Sequence, residues 1–281
     1  MSVNLIIQSA QPLLSARLEQ ARALAGGVAA IRLDDYAGRI LDVDLARRSE
    51  ATAWCAQHQL DAAYLPPLHL ADFGLVVMDM DSTLITIECI DEIADFCGLK
   101  AEVTALTEAS MRGELRDFGE SLRRRVALLK GLDASVLEQV WRKRLKLSLG
   151  AQRMLAGVQA AGLHTLLVSG GFTFFTERLT ARLRLDYAHA NLLGVSNGKL
   201  TGEVVGEIVD AQVKRRWLYE VCAELGITAS RAIVIGDGAN DLLMMAPAGL
   251  SVAFQAKPVV RQAARVSLNF TGLDGVLRLF E

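Results

Sequence analysis

Three short clusters in this chain combine residue types and spacings that could do phosphoryl chemistry. The first is Asp79-Met80-Asp81-Ser82-Thr83, directly after the apolar run Leu75–Met78. On a strand, side chains repeat every two residues, so Asp79 and Asp81 leave the strand pointing to one side. Two neighbouring carboxylates repel unless a cation or a shared proton relieves the charge. Taken alone, the cluster could equally be an acidic turn in which Ser82 or Thr83 caps a following helix. The second cluster, Ser169-Gly170-Gly171, precedes the helical pattern FTFFTERLTARL. A strand–glycine–helix junction leaves main-chain N–H groups free and sets a positive helix end at the site, which suits phosphate. An ordinary tight turn would have the same composition. The third cluster, Gly236-Asp237-Gly238-Ala239-Asn240-Asp241, opens a short helical segment. Asp237 and Asp79 together offer the one or two carboxylates that a hard cation such as Mg²⁺ usually takes from a protein. The chain has no G-x-x-x-x-G-K-[ST], so it is not a nucleotide P-loop protein.

The elements needed to position these clusters are legible. GLVVMDMD, GLHTLLVSGG and RAIVIGDG are each a few apolar residues ending in small or acidic ones, and helical stretches separate them. That order predicts a parallel sheet covered by helices on both faces, and ligands of such sheets bind beyond the strands' carboxyl ends. About sixty residues between the first and second runs, from IECIDEIADFCG to LEQVWRKRL, have an almost continuous helical pattern. A plain crossover needs one helix, so this segment is expected to be an inserted cap. NLLGVSNGKLTGEVV predicts a hairpin turning at Asn197-Gly198. Before Pro66-Pro67, the segments LIIQ, SARLEQARALAG, VAAIRL, LARRSEATAWCAQHQ and LDAAYL alternate strand and helix patterns, as in a small α/β unit. The expected division is residues 1–71 for that N-terminal unit, 72–86 with 146–281 for the core, and 87–145 for the cap.

In this order, D-M-D-S-T-L-I, V-S-G-G-F, N-L-L-G-V-S-N-G-K-L-T-G and I-G-D-G-A-N-D resemble the motifs of the haloacid dehalogenase superfamily, and within it the phosphoserine phosphatase family. The resemblance runs from about Phe73 to the C-terminus. It implies a Rossmann-like parallel-sheet core with an inserted helical cap, and hydrolysis of O-phospho-L-serine, the last step of serine synthesis, through a phospho-aspartyl intermediate. Asp79 would be the nucleophile and Asp81 the general acid and base. Mg²⁺ would be held by Asp79, the main-chain carbonyl of Asp81 and Asp237. Ser169, Gly170, Lys214 and Asn240 would hold the phosphoryl group. Glu88 would pair with the substrate ammonium and Arg125 with its carboxylate, where a planar fork suits bidentate binding. By residue type alone, Arg215 and Arg216 rival Lys214, Glu92 rivals Glu88, and Arg123 and Arg124 rival Arg125. Whether Asp241 touches the metal is left open. The family's M-x-G-x-L-D-F is here Met111-Arg-Gly-Glu-Leu-Arg-Asp-Phe118, with Arg116 as an apparent extra residue. One insertion turns a helix by about 100° and unsettles the register of Met111 against Phe118.

Bulk properties narrow the remaining classes. The chain has 281 residues, 52% of them hydrophobic and 22% charged, with a net charge of −2, so no global charge draws it to nucleic acid or an anionic membrane. No apolar run is long enough to span a bilayer, and the start lacks a basic segment of the kind that opens a signal peptide. Cys55, Cys89, Cys97 and Cys222 form no C-x-x-C pair. A cytoplasmic protein is the expectation. Two alternatives to phosphoserine hydrolysis are a related phosphatase or phosphotransferase acting on another small phosphomonoester, and a sensor of phosphate or amino acid without turnover. Oligomeric state and the ligand of the N-terminal unit are not legible.

Overall fold

The computed structural model describes residues 2–111 and 118–281, and the side chains of these except 107–111. Two sheets organise the chain. The smaller comprises β1 (Asn4–Ser9), β2 (Ala29–Asp34), β3 (Ala37–Leu41) and β4 (Leu60–Leu65), all antiparallel in the order β2-β3-β1-β4. Helices α1 (Ser15–Ala25) and α2 (Arg48–Gln57) cover one face, where Leu5, Ile7 and Ile40 meet Leu18, Ala21 and Cys55. Strand β3, with sequence AGRIL, is not among the elements expected from sequence. It follows β2 across only Asp35 and Tyr36 and carries three polar or small residues, Ala37, Gly38 and Arg39, so its alternation is too short to stand out.

The larger sheet comprises β5 (Leu75–Met78), β6 (His164–Phe172), β7 (Tyr187–Ser196), β8 (Lys199–Val205), β9 (Ala232–Gly236), β10 (Leu250–Phe254) and β11 (Val266–Leu268). Its order is β11-β10-β9-β5-β6-β7-β8, parallel except for the last pair. Strands on one side of β5 follow it directly in the chain, while those on the other side come later. The strand order therefore reverses between β5 and β9, which is where such sheets bind ligands. Alternate residues of β5 and β9 feed two different cores: Val76, Met78, Ile233 and Ile235 one, Leu75, Val77, Ala232 and Val234 the other. Each fully buried aliphatic side chain contributes about 1.5–3 kcal/mol. The β7–β8 hairpin turns at Asn197 and Gly198, both left-handed at φ 50° and 72°, as a two-residue hairpin turn requires.

Helices α3 (Cys89–Phe96), α4 (Lys100–Met111), α5 (Phe118–Ala127), α6 (Ser135–Lys143) and α7 (Ala151–Ala160) lie between β5 and β6. The chain leaves and re-enters the sheet region through a short antiparallel bridge of Ile85 with Leu147, flanked by Thr86 N–H to Lys146 O and Ser148 N–H to Leu84 O, both 3.0 Å. Beyond β6 come α8 (Thr173–Leu183), α9 (Ala211–Glu224), α10 (Leu242–Met245) and α11 (Pro258–Ala263). The short helical segment expected after Asp241 is a single turn, four residues long. Among the described residues, no helix is long and apolar enough to cross a membrane.

The free face of the small sheet rests on the C-terminal segment after β11. Ile6, Ala63 and Leu65 share a core with Leu268, Leu273 and Leu279. Across this seam the buried carboxylate of Asp61 accepts main-chain N–H bonds from Asn269 (2.6 Å), Phe270 (3.2 Å) and Thr271 (2.9 Å), plus the Thr271 hydroxyl at 2.7 Å. Arg39 donates to Phe280 O at 2.7 Å, and Gln8 donates its amide to Gly275 O at 3.0 Å.

Candidate active site

The apolar strand β5 ends inside the protein, so Asp79 at its tip is buried too, at 5% exposure. Its N–H continues the ladder to Ile235 O at 3.0 Å. Strand alternation does not place Asp81, as the sequence reading supposed. The chain leaves the sheet at Asp79 and makes one wide turn over Met80–Leu84, in which Ser82 is left-handed at φ 55°. Both carboxylates nevertheless line one cavity of about 530 Å³, together with Glu88, Arg125, Ser169 and Asp237. The turn also aims two consecutive hydroxyls at carboxylates. Ser82 Oγ donates to Glu88 Oε1 at 2.7 Å, and Thr83 Oγ1 donates to Asp237 Oδ1 at 3.2 Å.

Ser169, Gly170 and Gly171 belong to the last residues of β6, which runs on to Phe172 before α8 begins. A side chain at Gly171 would meet Met80 Cε at 2.6 Å and Asp81 Oδ2 at 2.8 Å, so only glycine lets this strand end close on the Asp81 turn. The Ser169 hydroxyl accepts the Gly171 N–H at 2.9 Å, and Asn191 secures Gly170 O at 2.7 Å.

Lys214 is separated from its neighbours by burial. It is 0% exposed on α9, whereas Arg215 is exposed and Arg216 is tied to Glu207. Its Nζ donates to Asp79 Oδ1 at 2.6 Å and to Asp241 Oδ1 at 2.8 Å. The second oxygen of Asp241 accepts the N–H groups of Asp237 (3.2 Å) and Gly238 (3.1 Å). Asp241 is therefore fully engaged in holding the third strand end in shape. Burial pushes Asp79 up to about 8, against the pull of Lys214 and with the charges of Asp241 and Asp237 adding to it. Burial likewise raises Asp237 to about 6, helped by Asp241 and Glu88. Asp81 is held well above the usual carboxylate range, first by burial and then by the charge of Glu88. Burial alone would lower the Lys214 ammonium, but Asp241 and Asp79 outweigh it and keep it charged.

Beside burial, crowding of like charges contributes at Asp79 and Asp237. Asp79, Asp237 and Asp241 each bring an oxygen within 4.8 Å of the others', and Lys214 offsets only one of the three charges. The two left over match a divalent cation, and the uncommitted oxygens belong to Asp79 and Asp237. The donor set is all carboxylate, as hard cations prefer. The residues fit a metal.

In the same cavity, Glu88 stands just before α3 and Arg125 projects from α5, half-buried, its Nε 3.4 Å from Ser121 O. Their rivals face elsewhere. Glu92 pairs with Arg144 at 3.7 Å, Arg124 pairs with Glu120, and Arg123 lines a different cleft. Phe118 and Asn240 also line the cavity, and a side chain at Gly170 would lie 3.0 Å from the Phe118 ring. The side chain of Met111 and all of Arg116 lie outside the described residues, so the register across that insertion is not observed. Two charged residues of the cavity, Asp91 and Lys257, are not among the candidates expected from sequence. Asp91 is one turn along α3 from Glu88, hidden among acidic residues of one helix. Lys257 follows β10, a strand that carries no acidic or glycine-rich signal at its end.

Comparison with known proteins fits this arrangement. A family model described as haloacid dehalogenase-like hydrolase matches residues 76–246. A phosphoserine phosphatase of Albidiferax ferrireducens is 54% identical over 222 residues, covering 78% of this chain and 94% of that protein. A haloacid dehalogenase family hydrolase from Salmonella enterica serovar Typhi superposes with a TM-score of 0.89 at 33% identity, over 100% of this chain and 99% of its own. An unliganded probable phosphoserine phosphatase from Vibrio cholerae does so with a TM-score of 0.85 at 38% identity, over 99% of this chain and 85% of its own.

Proposed function

This chain belongs to the haloacid dehalogenase-like hydrolase family, and from that premise we propose that it is a phosphatase hydrolysing O-phospho-L-serine to L-serine and phosphate. The observation that carries the reading is the buried carboxylate of Asp79 at the reversal of the sheet, held by Lys214 and lining one cavity with Glu88 and Arg125. Phosphoserine has an ester phosphate at one end and an ammonium and a carboxylate at the other. A cavity with acidic residues and an arginine on the cap side, and strand-tip carboxylates on the core side, matches both ends.

In the mechanism, Asp79 attacks phosphorus in line with the ester oxygen and becomes an aspartyl phosphate. Lys214 holds the Asp79 carboxylate in place and supplies a fixed positive charge. Asp81, whose hold on a proton is strengthened by burial and by the charge of Glu88, gives its proton to the departing serine oxygen. It then takes a proton from the water that cleaves the aspartyl phosphate. Ser169, the Gly170 N–H and Asn240 orient the phosphoryl oxygens. Glu88 binds the ammonium and Arg125 the carboxylate, which fixes the ester relative to Asp79. Asp79, the Asp81 carbonyl and Asp237 would hold Mg²⁺, which supplies charge neutralisation on the phosphoryl oxygens. In this reading residues 87–145 form a cap over a core of 72–86 and 146–281, residues 1–71 form a separate unit, and the protein works in the cytoplasm. The test is phosphate release from L-phosphoserine against a panel of small phosphomonoesters, with Mg²⁺ and with EDTA. We expect metal-dependent release with phosphoserine preferred. Equal rates across the panel would remove the substrate assignment, and full activity in EDTA would remove the metal.

A further inference from the structure

The sequence points to three strand ends at the site, yet a fourth reaches it. Strand β10 lies beside β9, and the loop after it, Gln255-Ala256-Lys257, bends back over the sheet's carboxyl edge. Gln255 is left-handed at φ 45°, an uncommon state for a non-glycine residue, and its N–H is fixed to Leu268 O at 2.8 Å. Lys257 N–H then donates to Asp237 O at 3.0 Å, and Pro258 starts α11. The main chain of Lys257 is thereby pinned against a residue of the acid cluster, while its side chain stays exposed and lines the cavity. Among the described residues, its ammonium makes no hydrogen bond or ion pair.

The electrostatics give this ammonium work to do. Five carboxylates line the cavity, those of Asp79, Asp81, Glu88, Asp91 and Asp237, against Arg125 and Lys257. Lys214, fully buried behind Asp79, already serves two carboxylates and cannot turn to meet an arriving ligand. Arg125 is on the cap wall. Among the described residues lining the cavity, only Arg125 and Lys257 are cationic. Without Lys257 the acid-rich cavity keeps Arg125 alone to meet a ligand that is itself a dianion. We propose that Lys257 is a phosphate-capturing residue, an exposed ammonium that draws the phosphoryl dianion to the core side of the cavity and helps hold it there.

This inference rests on the phosphatase reading, but direct binding separates the two. Lys257→Gln, Lys257→Glu and Lys257→Arg keep the main-chain bond to Asp237, so the fold should survive in all three. Calorimetric titration with inorganic phosphate in the presence of Mg²⁺ should show about tenfold weaker binding in K257Q, a larger loss in K257E and near wild-type affinity in K257R. The kcat/KM for phosphoserine and for para-nitrophenyl phosphate should fall by the same factor in K257Q, because both carry the phosphate. That loss should shrink as salt is raised, since an exposed charge is readily screened. Unchanged phosphate affinity in both K257Q and K257E would overturn the proposal. If the wild type failed to hydrolyse phosphoserine while phosphate binding still depended on Lys257, the substrate reading would fall and this one would stand.

Discussion

The protein buries carboxylates in two very different ways. At the seam between the small sheet and the C-terminal segment, Asp61 accepts three main-chain N–H groups and a hydroxyl, and among the described residues no second acid shares them. At the strand tips, Asp79, Asp237 and Asp241 crowd within 4.8 Å around the single ammonium of Lys214. Burial raises Asp61 too, but only neutral donors surround it and they oppose that push, so it can hold two parts of a chain together without an added ion. A cluster with more charge than its own partners neutralise is stable only with something added, a proton or a cation, and that incompleteness marks a site of chemistry. Burial alone would not tell these regions apart. The partner sets do.

Several variants sharpen or break this contrast. Asp79→Asn should keep the fold, because the amide preserves shape and removes a charge from a crowded site. It should lower kcat for phosphoserine by about 10⁴-fold or more, the scale seen when a nucleophile is deleted. Retained turnover with native circular dichroism would put Asp79 in the structural class with Asp61.

A smaller effect is expected at Glu88 and Arg125. Glu88→Gln and Arg125→Lys should each weaken kcat/KM for phosphoserine by about 2–5 kcal/mol, the usual cost of spoiling one member of a desolvated charge pair. Para-nitrophenyl phosphate lacks the ammonium and carboxylate and should lose far less. Equal losses on the two substrates would reduce both residues to supports of the fold.

At the seam the readout changes from rate to stability. Asp61→Ala strands the N–H groups of residues 269–271 and should destabilise the protein by about 1–3 kcal/mol in urea unfolding. The kcat of the folded fraction should be little altered. A variant as stable as the wild type but inactive would contradict the division of labour.

The last effect is a dependence on pH. In the folded state Asp237 is raised to about 6 and Asp79 to about 8, above the 3.8 of an unperturbed aspartate. The folded protein thus holds protons that the unfolded chain would release. Without metal, its stability should fall as pH climbs from about 4 through 8. A cation replaces those protons, so the rise in Tm caused by Mg²⁺ should be small below about pH 6 and grow toward about pH 8. Scanning calorimetry with Mg²⁺ and with EDTA would check this, and a Tm increment independent of pH would count against the metal cluster.

How far the sequence alone reached follows from the same contrast. Asp79, Ser169 and Asp237 were legible because each ends a continuous apolar run, and a buried strand tip is a recognisable place. Lys214 was not separable from Arg215 and Arg216 by type or spacing, and needed the family resemblance. In the structure, burial on the inner face of α9 makes the distinction. Asp81 was right in place but wrong in cause, since a turn through left-handed Ser82 aims it, not strand pleating. Asp61 and Lys257 were invisible for a different reason. Their partners, residues 269–271 and Asp237, lie far away or on another strand, and no local pattern encodes that pairing. Tertiary packing alone made them significant.

The central claim is that Asp79 carries the phosphoryl group, and covalent capture tests it most directly. Wild-type protein mixed with phosphoserine labelled in its phosphate should be quenched in acid within the first turnovers, and the labelled peptide identified. The account predicts an acid-stable, base-labile acyl phosphate on Asp79, absent from Asp79→Asn. Label on another residue, or rapid hydrolysis with no trapped phosphoprotein and undiminished turnover in Asp79→Asn, would contradict it.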